Sequence, residues 1–308
     1  MANTVLTVSQ DTLLKMKEYY KNSLQSKVPQ GGVFMAKPNG CTITAYKSGK
    51  VMFQGTNCDS EVKKWEAKST VQAPKKTSST SNSSLPANFS NLAVIGSDEV
   101  GTGDYFGPMT VVASFVEPSQ FELLKELGVK DSKELNDDDI CHIAKKIIHV
   151  VTYSLLVLHN EKYNDLQEKG YNMNKLKAML HNQAIKNMIS KLEGKNFDAI
   201  LIDQFTPPNL YFNYLKSTKE VIRDKVQFAT KAEGLHLSVA VSSILARYAF
   251  LQQMDLLSEK AGMTLPKGAG AKVDQAAAKF IKLKGFDALR GFTKLHFANT
   301  EKAMKLVK

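Results

Sequence analysis

The segment Ile95-Gly-Ser-Asp-Glu-Val-Gly-Thr-Gly-Asp-Tyr-Phe-Gly107-Pro108 sets two adjacent carboxylates, Asp98 and Glu99, at the end of an apolar run and before a glycine-rich turn. Neighbouring side chains on a regular strand face opposite ways, so the two reach one site only where the strand ends. Gly101 and Gly103 let the backbone come close to a bulky ligand. The spacing Gly-x-Gly-x-x-x-Gly, with acids where a pyrophosphate would lie and no Walker lysine, speaks against a dinucleotide or P-loop site. Ala199-Ile-Leu-Ile-Asp203 repeats the layout before Pro207-Pro208, and Glu233 stands just ahead of a small-residue helix. Any one of these acids alone suits an exposed corner or a helix start. Four of them converging at strand and helix ends would bind hard, oxygen-preferring cations, Mg²⁺ or Mn²⁺, in the two-ion clamp used for phosphoryl displacement.

To position these acids, the chain after residue 91 must alternate strands and helices, as in an α/β layered domain. Strands are expected over 92–96, 109–116, 150–158 and 199–202. A helix over 136–149 opens on Asn136 with Asp137, Asp138 and Asp139, acids that suit the positive helix end. Further helices are expected over 175–192 behind Asn174 and over 235–257, where Ala240, Ser242, Ser243 and Ala246 allow close packing. Leu265-Pro-Lys-Gly-Ala-Gly-Ala-Lys272 is a basic loop able to cradle a phosphate but without P-loop spacing, and the six histidines show no metal-ligand spacing.

Charge divides the chain. The 41 Lys and Arg against 30 Asp and Glu give +11, and the pI is about 9.3. Residues 1–90 hold 12 Lys and 5 acids, a balance of +7, whereas 91–308 carry only +4. A basic front module suits a polyanion, because phosphate neutralisation drives sequence-independent nucleic-acid affinity; a lysine-rich solubilising surface gives the same count. The front reads as a strand over 4–8, a helix from Asp11, strands over 33–37, 42–46 and 50–54 joined by Pro38-Asn39-Gly40 and Ser48-Gly49, and a helix over 58–67. Helices on one face leave the other open, with Lys37, Tyr46, Lys47, Lys50 and Phe53 on or beside it to hold a backbone or stack a base. Taken singly, Tyr46 or Phe53 suits a place in the core better than one on the open face.

Residues 69–90, with 10 Ser or Thr among 22 and with Pro74 and Pro86, are expected to be a flexible linker, dividing the chain into 1–68, 69–90 and 91–308. No apolar run approaches the ~18 residues a membrane span needs. The opening Met1-Ala2-Asn3-Thr4-Val5 lacks a basic patch and apolar core, so a cytosolic chain without a secretory leader is expected. Cys41, Cys58 and Cys141 are odd in number and form no Cys-x-x-Cys, and all three are expected as free thiols.

Taken together, Gly96-Ser-Asp-Glu-Val-Gly-Thr-Gly-Asp-Tyr-Phe-Gly-Pro108, Asp131-Ser132-Lys133, Asp203 and Ala240-Val-Ser-Ser-Ile-Leu-Ala-Arg247 resemble the motifs of the type 2 ribonucleases H, over nearly the whole chain. The resemblance implies an RNase H-like α/β catalytic domain with a mixed sheet, preceded by a small α+β TATA-binding-protein-like domain that binds substrate. It implies an endonuclease cutting the RNA strand of RNA/DNA hybrids, with Mg²⁺ or Mn²⁺, to 5′-phosphate and 3′-hydroxyl ends. Asp98, Glu99, Asp203 and Glu233 match the metal-binding set, Glu233 standing where the ribonuclease HII branch has Asp. By the same resemblance Lys133 lies near the scissile phosphate, and Gly101, Thr102 and Gly103 match the segment that senses ribose 2′-hydroxyls. Gly268-Ala269-Gly270 aligns with a Gly-Tyr-Gly that helps the ribonuclease HII branch recognise a lone ribonucleotide. The implied partner is the hybrid duplex, with no membrane and no obligate protein partner. A non-catalytic hybrid-binding protein and a junction-cleaving enzyme of the ribonuclease HII type are the alternatives. Four converging negative charges would hinder bare phosphate binding, which favours the enzyme.

Overall fold

The structure, a computed structural model, describes residues 2–28, 32–47, 49–66, 85, 86 and 88–307. They fall in two units, Met1–Ser79 and Thr80–Lys308. Most of the linker expected over 69–90 lies outside the described residues; of its end, Phe89 is buried among Val94, Leu201 and Val239 of the second unit.

The first unit runs β1 (Ala2–Thr7), α1 (Gln10–Tyr19), β2 (Gly32–Ala36), β3 (Cys41–Tyr46), β4 (Lys50–Gly55) and α2 (Cys58–Glu66). Its antiparallel sheet has the order β1-β4-β3-β2. Period-two alternation sends Leu6, Phe34, Ile43, Val51 and Phe53 to one face, where they pack with Leu13, Met16 and Trp65 of the helices. The tight turn between β2 and β3 forms as expected: Asn39 and Gly40 take φ of 40° and 79°, and the Cys41 N–H donates to the Pro38 carbonyl at 2.8 Å.

Phe53 is fully buried, its register placing it on the helix-covered face, in line with the core reading. One expectation for this unit is corrected. Cys41 and Cys58 are joined in a disulfide with Cα atoms 5.0 Å apart, leaving Cys141 as the free thiol. The β3–β4 hairpin sets Cys41 opposite Gly55, and α2 begins on Cys58 three residues later, a proximity that no Cys-x-x-Cys spacing signals.

The second unit runs β5 (Val94–Val100), β6 (Met109–Val116), α3 (Phe121–Glu126), α4 (Asp137–Ile147), β7 (Thr152–Leu158), α5 (Asn160–Glu168), α6 (Met173–Lys191), β8 (Ala199–Asp203), α7 (Pro208–Tyr214), β9 (Val226–Ala229), α8 (Leu237–Ala261), α9 (Ala271–Lys284) and α10 (Ala298–Val307). The sheet order is β7-β6-β5-β8-β9, antiparallel on the β6 side of β5 and parallel on the β8 side. The expected mixed sheet is present. Both faces are covered, which is why every residue of β6 is buried. Ile95, Val111 and Ala113 pack with Ile185 and Met188 of α6 on one face. Val112 and Val116 pack with Ile143 of α4 and with Ala240 and Ile244 of α8 on the other.

The small-residue run of α8 works as expected. A Cβ at Gly96 would lie 2.4 Å from backbone atoms of Ser238 and Val239, so only glycine lets α8 come this close to β5. The Ser242 hydroxyl donates to the Gly96 carbonyl at 2.9 Å. Some bounds shift: α6 starts earlier and is capped by Asn172, whose side chain accepts from the Lys175 N–H, and not by Asn174. Asn136 caps α4 as expected, in a box with Asp139.

Candidate active site

Asp98 and Glu99 stand inside β5 and not beyond its end, which corrects the sequence expectation. β5 continues to Val100, with Asp98 opposite Val112 and Glu99 opposite Val111 on β6. What stops is β8, whose ladder with β5 ends at Ser97 opposite Ile202, one residue before Asp203. The alternation of the strand then sends the two acids to opposite layers. Asp98 shares the α8 face with Gly96, and Glu99 shares the α6 face with Ser97.

Asp98, Glu99, Asp203 and Glu233 nevertheless line one pocket of about 410 Å³, together with Ser132, Lys133, Asp137, Ser243 and Arg247. Asp203 closes β8, its Oδ1 accepting from the Ala232 N–H at 2.9 Å. Glu233 lies in a single 3₁₀ turn over Ala232–Gly234, entered through Lys231 at φ 56°, so its carboxylate faces the pocket ahead of α8. Its two oxygens accept from the Lys133 Nζ and the Ser132 N–H, both at 2.8 Å. Asp131 caps the short turn that presents Ser132 and Lys133, accepting from the Lys133 N–H.

The acids differ in their electrostatics. Burial, and then repulsion from Glu99, Asp203 and Glu233, push the Asp98 carboxyl well above the usual carboxylate range; the Ser243 hydroxyl opposes this only in part. Burial also raises Asp203, against the pull of the Ala232 N–H. For Glu99 burial acts upward but is outweighed by His181 and Lys177, and for Glu233 it is outweighed by Lys133 and Ser132, so both end lowered. An all-oxygen donor set carrying unshared negative charge fits hard divalent cations. Among the described residues, no three acid, His or Cys side chains already enclose an ion-sized space.

The other expected residues are placed as follows. Gly101, Thr102 and Gly103 continue from Val100, which lines the pocket. Gly101 has φ 92° and a Cβ there would lie 2.2 Å from the Pro108 carbonyl oxygen, whereas Gly103 faces open space. In the first unit, Thr7 and Lys50 are partners in the sheet register and Tyr46 follows on β3, in one row of the face opposite the helices; Lys37 lies on the same face just past β2. Lys37, Lys47 and Lys50 are exposed and Tyr46 is half-buried. The loop at Gly268 is tied to the glycine segment, its N–H donating to Asp104 Oδ1 at 2.6 Å.

Sequence reasoning missed Lys177 and His181. Both lie on α6 four residues apart, hence on one helix face, and both contact Glu99, His181 through Nε2 at 2.8 Å and Lys177 as an ion pair. A buried Lys and His at helical spacing were the available signal, but nothing in the sequence says which element they meet.

A ribonuclease HII family profile matches residues 95–300, the span that holds all four acids. With full-length ribonuclease HIII relatives at 56% identity as well, the chain belongs to the ribonuclease HIII branch of the type 2 ribonucleases H. A domain family of unknown function, DUF3378, matches residues 3–78. The chain is 56% identical to ribonuclease HIII of Bacillus cereus over the whole length of both, and 56% identical to ribonuclease HIII of Bacillus subtilis over 99% of this chain and 98% of the other. It is similar to a solved structure of Bst-RNase HIII in complex with Mn²⁺, at 42% identity and a TM-score of 0.71 over 100% of this chain and 99% of that one. The enzyme is accordingly a metal-dependent endoribonuclease that cuts the RNA strand of RNA/DNA hybrids.

Proposed function

We propose that Asp98, Glu99, Asp203 and Glu233 hold two divalent cations, Mg²⁺ or Mn²⁺, and that hydrolysis leaves 5′-phosphate and 3′-hydroxyl ends. The main support is the convergence of four carboxylates from three elements on one pocket, with Asp98 pushed upward by burial and then by its acidic neighbours. The Mn²⁺ in the Bst-RNase HIII structure supports the same reading. Bound there, such ions supply Lewis-acid stabilisation of the scissile phosphate and a more acidic water for in-line attack.

The residues of the chain do the remaining work. Asp98 and Asp203 present oxygens backed by backbone N–H donors at 2.7 and 2.9 Å. Lys133, two-thirds exposed and reaching Glu233, is placed to meet the phosphate from the rim. The Gly101–Gly103 backbone meets a ribose 2′-hydroxyl, the group that separates RNA from DNA. Residues 1–68 form the substrate-binding domain, with Lys37, Tyr46, Lys47 and Lys50 turned to the hybrid, and 91–308 form the catalytic domain. The hybrid is the partner the activity requires, and no obligate protein partner is needed. No helix among the described residues is long and apolar enough to cross a membrane. Action in the cytoplasm is a separate part of the same proposal.

Incubating a strand-labelled hybrid with the full chain in Mg²⁺, Mn²⁺ or EDTA tests this reading. Cleavage confined to the RNA strand, dependent on the ion and leaving 5′-phosphates, is expected. Cleavage in EDTA, or of the DNA strand, would refute it.

A further inference from the structure

Glu99 is held by machinery that the reaction described above does not use. Lys177 pairs with its Oε1 and His181 Nε2 lies 2.8 Å from its Oε2, so one helix face engages both oxygens. The two partners are themselves fixed. The Lys177 Nζ sits 4.0 Å from the centroid of the Phe205 ring, and His181 stacks on the same ring at 5.4 Å and 19°. Behind the imidazole, Nδ1 lies 2.7 Å from the Ser97 hydroxyl, which also donates to the Val112 carbonyl at 3.0 Å. His181 is fully buried and Lys177 nearly so.

Burying these groups carries a desolvation cost that an apolar contact would not. α6 is already fixed to the sheet by Leu176, Ile185 and Met188 packing on Ile95, Val111 and Ala113. The ion pair is therefore not needed to dock the helix, and its one feature specific to the site is the orientation it gives the Glu99 carboxylate.

Resting on the reading of the four acids as cation ligands, we propose that Lys177 and His181 are positioning residues that hold the Glu99 carboxylate in the geometry for ion binding. The Ser97 hydroxyl, two residues before Glu99 on the same face of β5, sets the ring orientation of His181. The arrangement parallels the outer partners of other metal ligands, whose loss typically costs about 10–100-fold in metal affinity or activity.

The test measures Mn²⁺ binding to the full chain by titration calorimetry, alongside kcat and KM on a hybrid at saturating Mn²⁺. Lys177→Met and His181→Leu are expected to weaken Mn²⁺ binding by about 10–100-fold and to lower kcat, with KM for the hybrid within about twofold. Lys177→Arg and His181→Gln, which restore a cation and a donor, are expected to recover most of both. Should the first pair fail to fold, Ser97→Ala gives the same readout through a smaller change, with a several-fold loss expected. Wild-type Mn²⁺ affinity in folded Lys177→Met and His181→Leu, or tighter binding in Lys177→Met, would overturn the proposal. Asp98→Asn separates the two readings: if it too binds Mn²⁺ like the wild type, the cation site itself is misassigned; if it loses Mn²⁺ while the α6 variants do not, only the positioning role falls.

Discussion

Of the five acids that line the pocket, the four read as cation ligands divide into two unlike pairs. Glu99 and Glu233 each arrive with a lysine and a further donor, His181 or the Ser132 N–H, and both are lowered. Asp98 and Asp203 each accept from a backbone N–H, Asp98 from the Ser243 hydroxyl as well, and both are raised. The glutamates are long enough to pair with cations on neighbouring elements, whereas Asp98 inside β5 and Asp203 at the end of β8 form no such ion pair among the described residues, and Lys133 acts on Asp203 only as a more distant charge. The unshared negative charge thus lies at the β5–β8 junction, and an added cation gains most there.

The harshest test of this contrast removes the unshared charge. Asp98→Asn or Asp203→Asn is expected to reduce kcat on the order of 10³-fold, about 4 kcal/mol of transition-state stabilisation, while hybrid binding measured by fluorescence anisotropy stays within a few fold. Retained cleavage by Asp203→Asn would remove it from the site.

Lys133→Met sharpens the contrast, because it strips the exposed cation from Glu233. A fall in kcat of about 10–100-fold is expected, with little change in the melting temperature, since an exposed lysine contributes little to stability. Steady-state kinetics beside a thermal melt read both.

The charge contrast between the two units makes a milder prediction. A chain beginning at Leu85, which keeps the buried Phe89, is expected to fold and to bind hybrid more weakly with a shallower salt dependence. Each lost phosphate contact reduces the log–log salt slope by roughly 0.7 to 0.9. An unchanged slope would assign the front unit another role.

Substrate choice should change by about tenfold. Ala269 offers no ring for a sugar at an RNA–DNA junction, and aromatic stacking at nucleic-acid sites is worth ~1–3 kcal/mol. Cleavage within continuous RNA should therefore exceed cleavage at a single embedded ribonucleotide; equal rates on the two substrates under one salt and metal condition would contradict this.

The smallest effect is on stability. Because the Asp98 carboxyl is raised in the folded chain, the native state binds more protons than the unfolded one between the usual carboxylate value of 3.8 and the raised value. Stability from this group therefore falls as pH rises through that window, and above it the ionised Asp98 is a net burden on the metal-free fold. Asp98→Asn should raise the metal-free melting temperature by about 2–4 °C, the equivalent of on the order of 1 kcal/mol, and the gain should vanish in acid. A melt series against pH in EDTA checks the sign.

What the sequence determined by itself is local. An apolar run ending in Asp203, glycines that only a close approach explains, Asn136 opening a helix and the small residues of α8 all act through neighbours in the chain, so periodicity and residue type expose them. Asp203 and Glu233 were legible for the same reason, as charges at the ends of elements, and Asp98-Glu99 as adjacent acids before a glycine-rich turn. Tertiary structure alone decided the rest. It carried Asp98 and Glu99 inside β5 and so turned them to opposite layers. It buried Phe53 by register and brought Cys41 to Cys58. It also laid α6 across the sheet so that Lys177 and His181 meet Glu99. The physical reason is that a helix's own pattern fixes which residues share a face, but the strand that face meets is chosen by side-chain packing between segments distant in the chain.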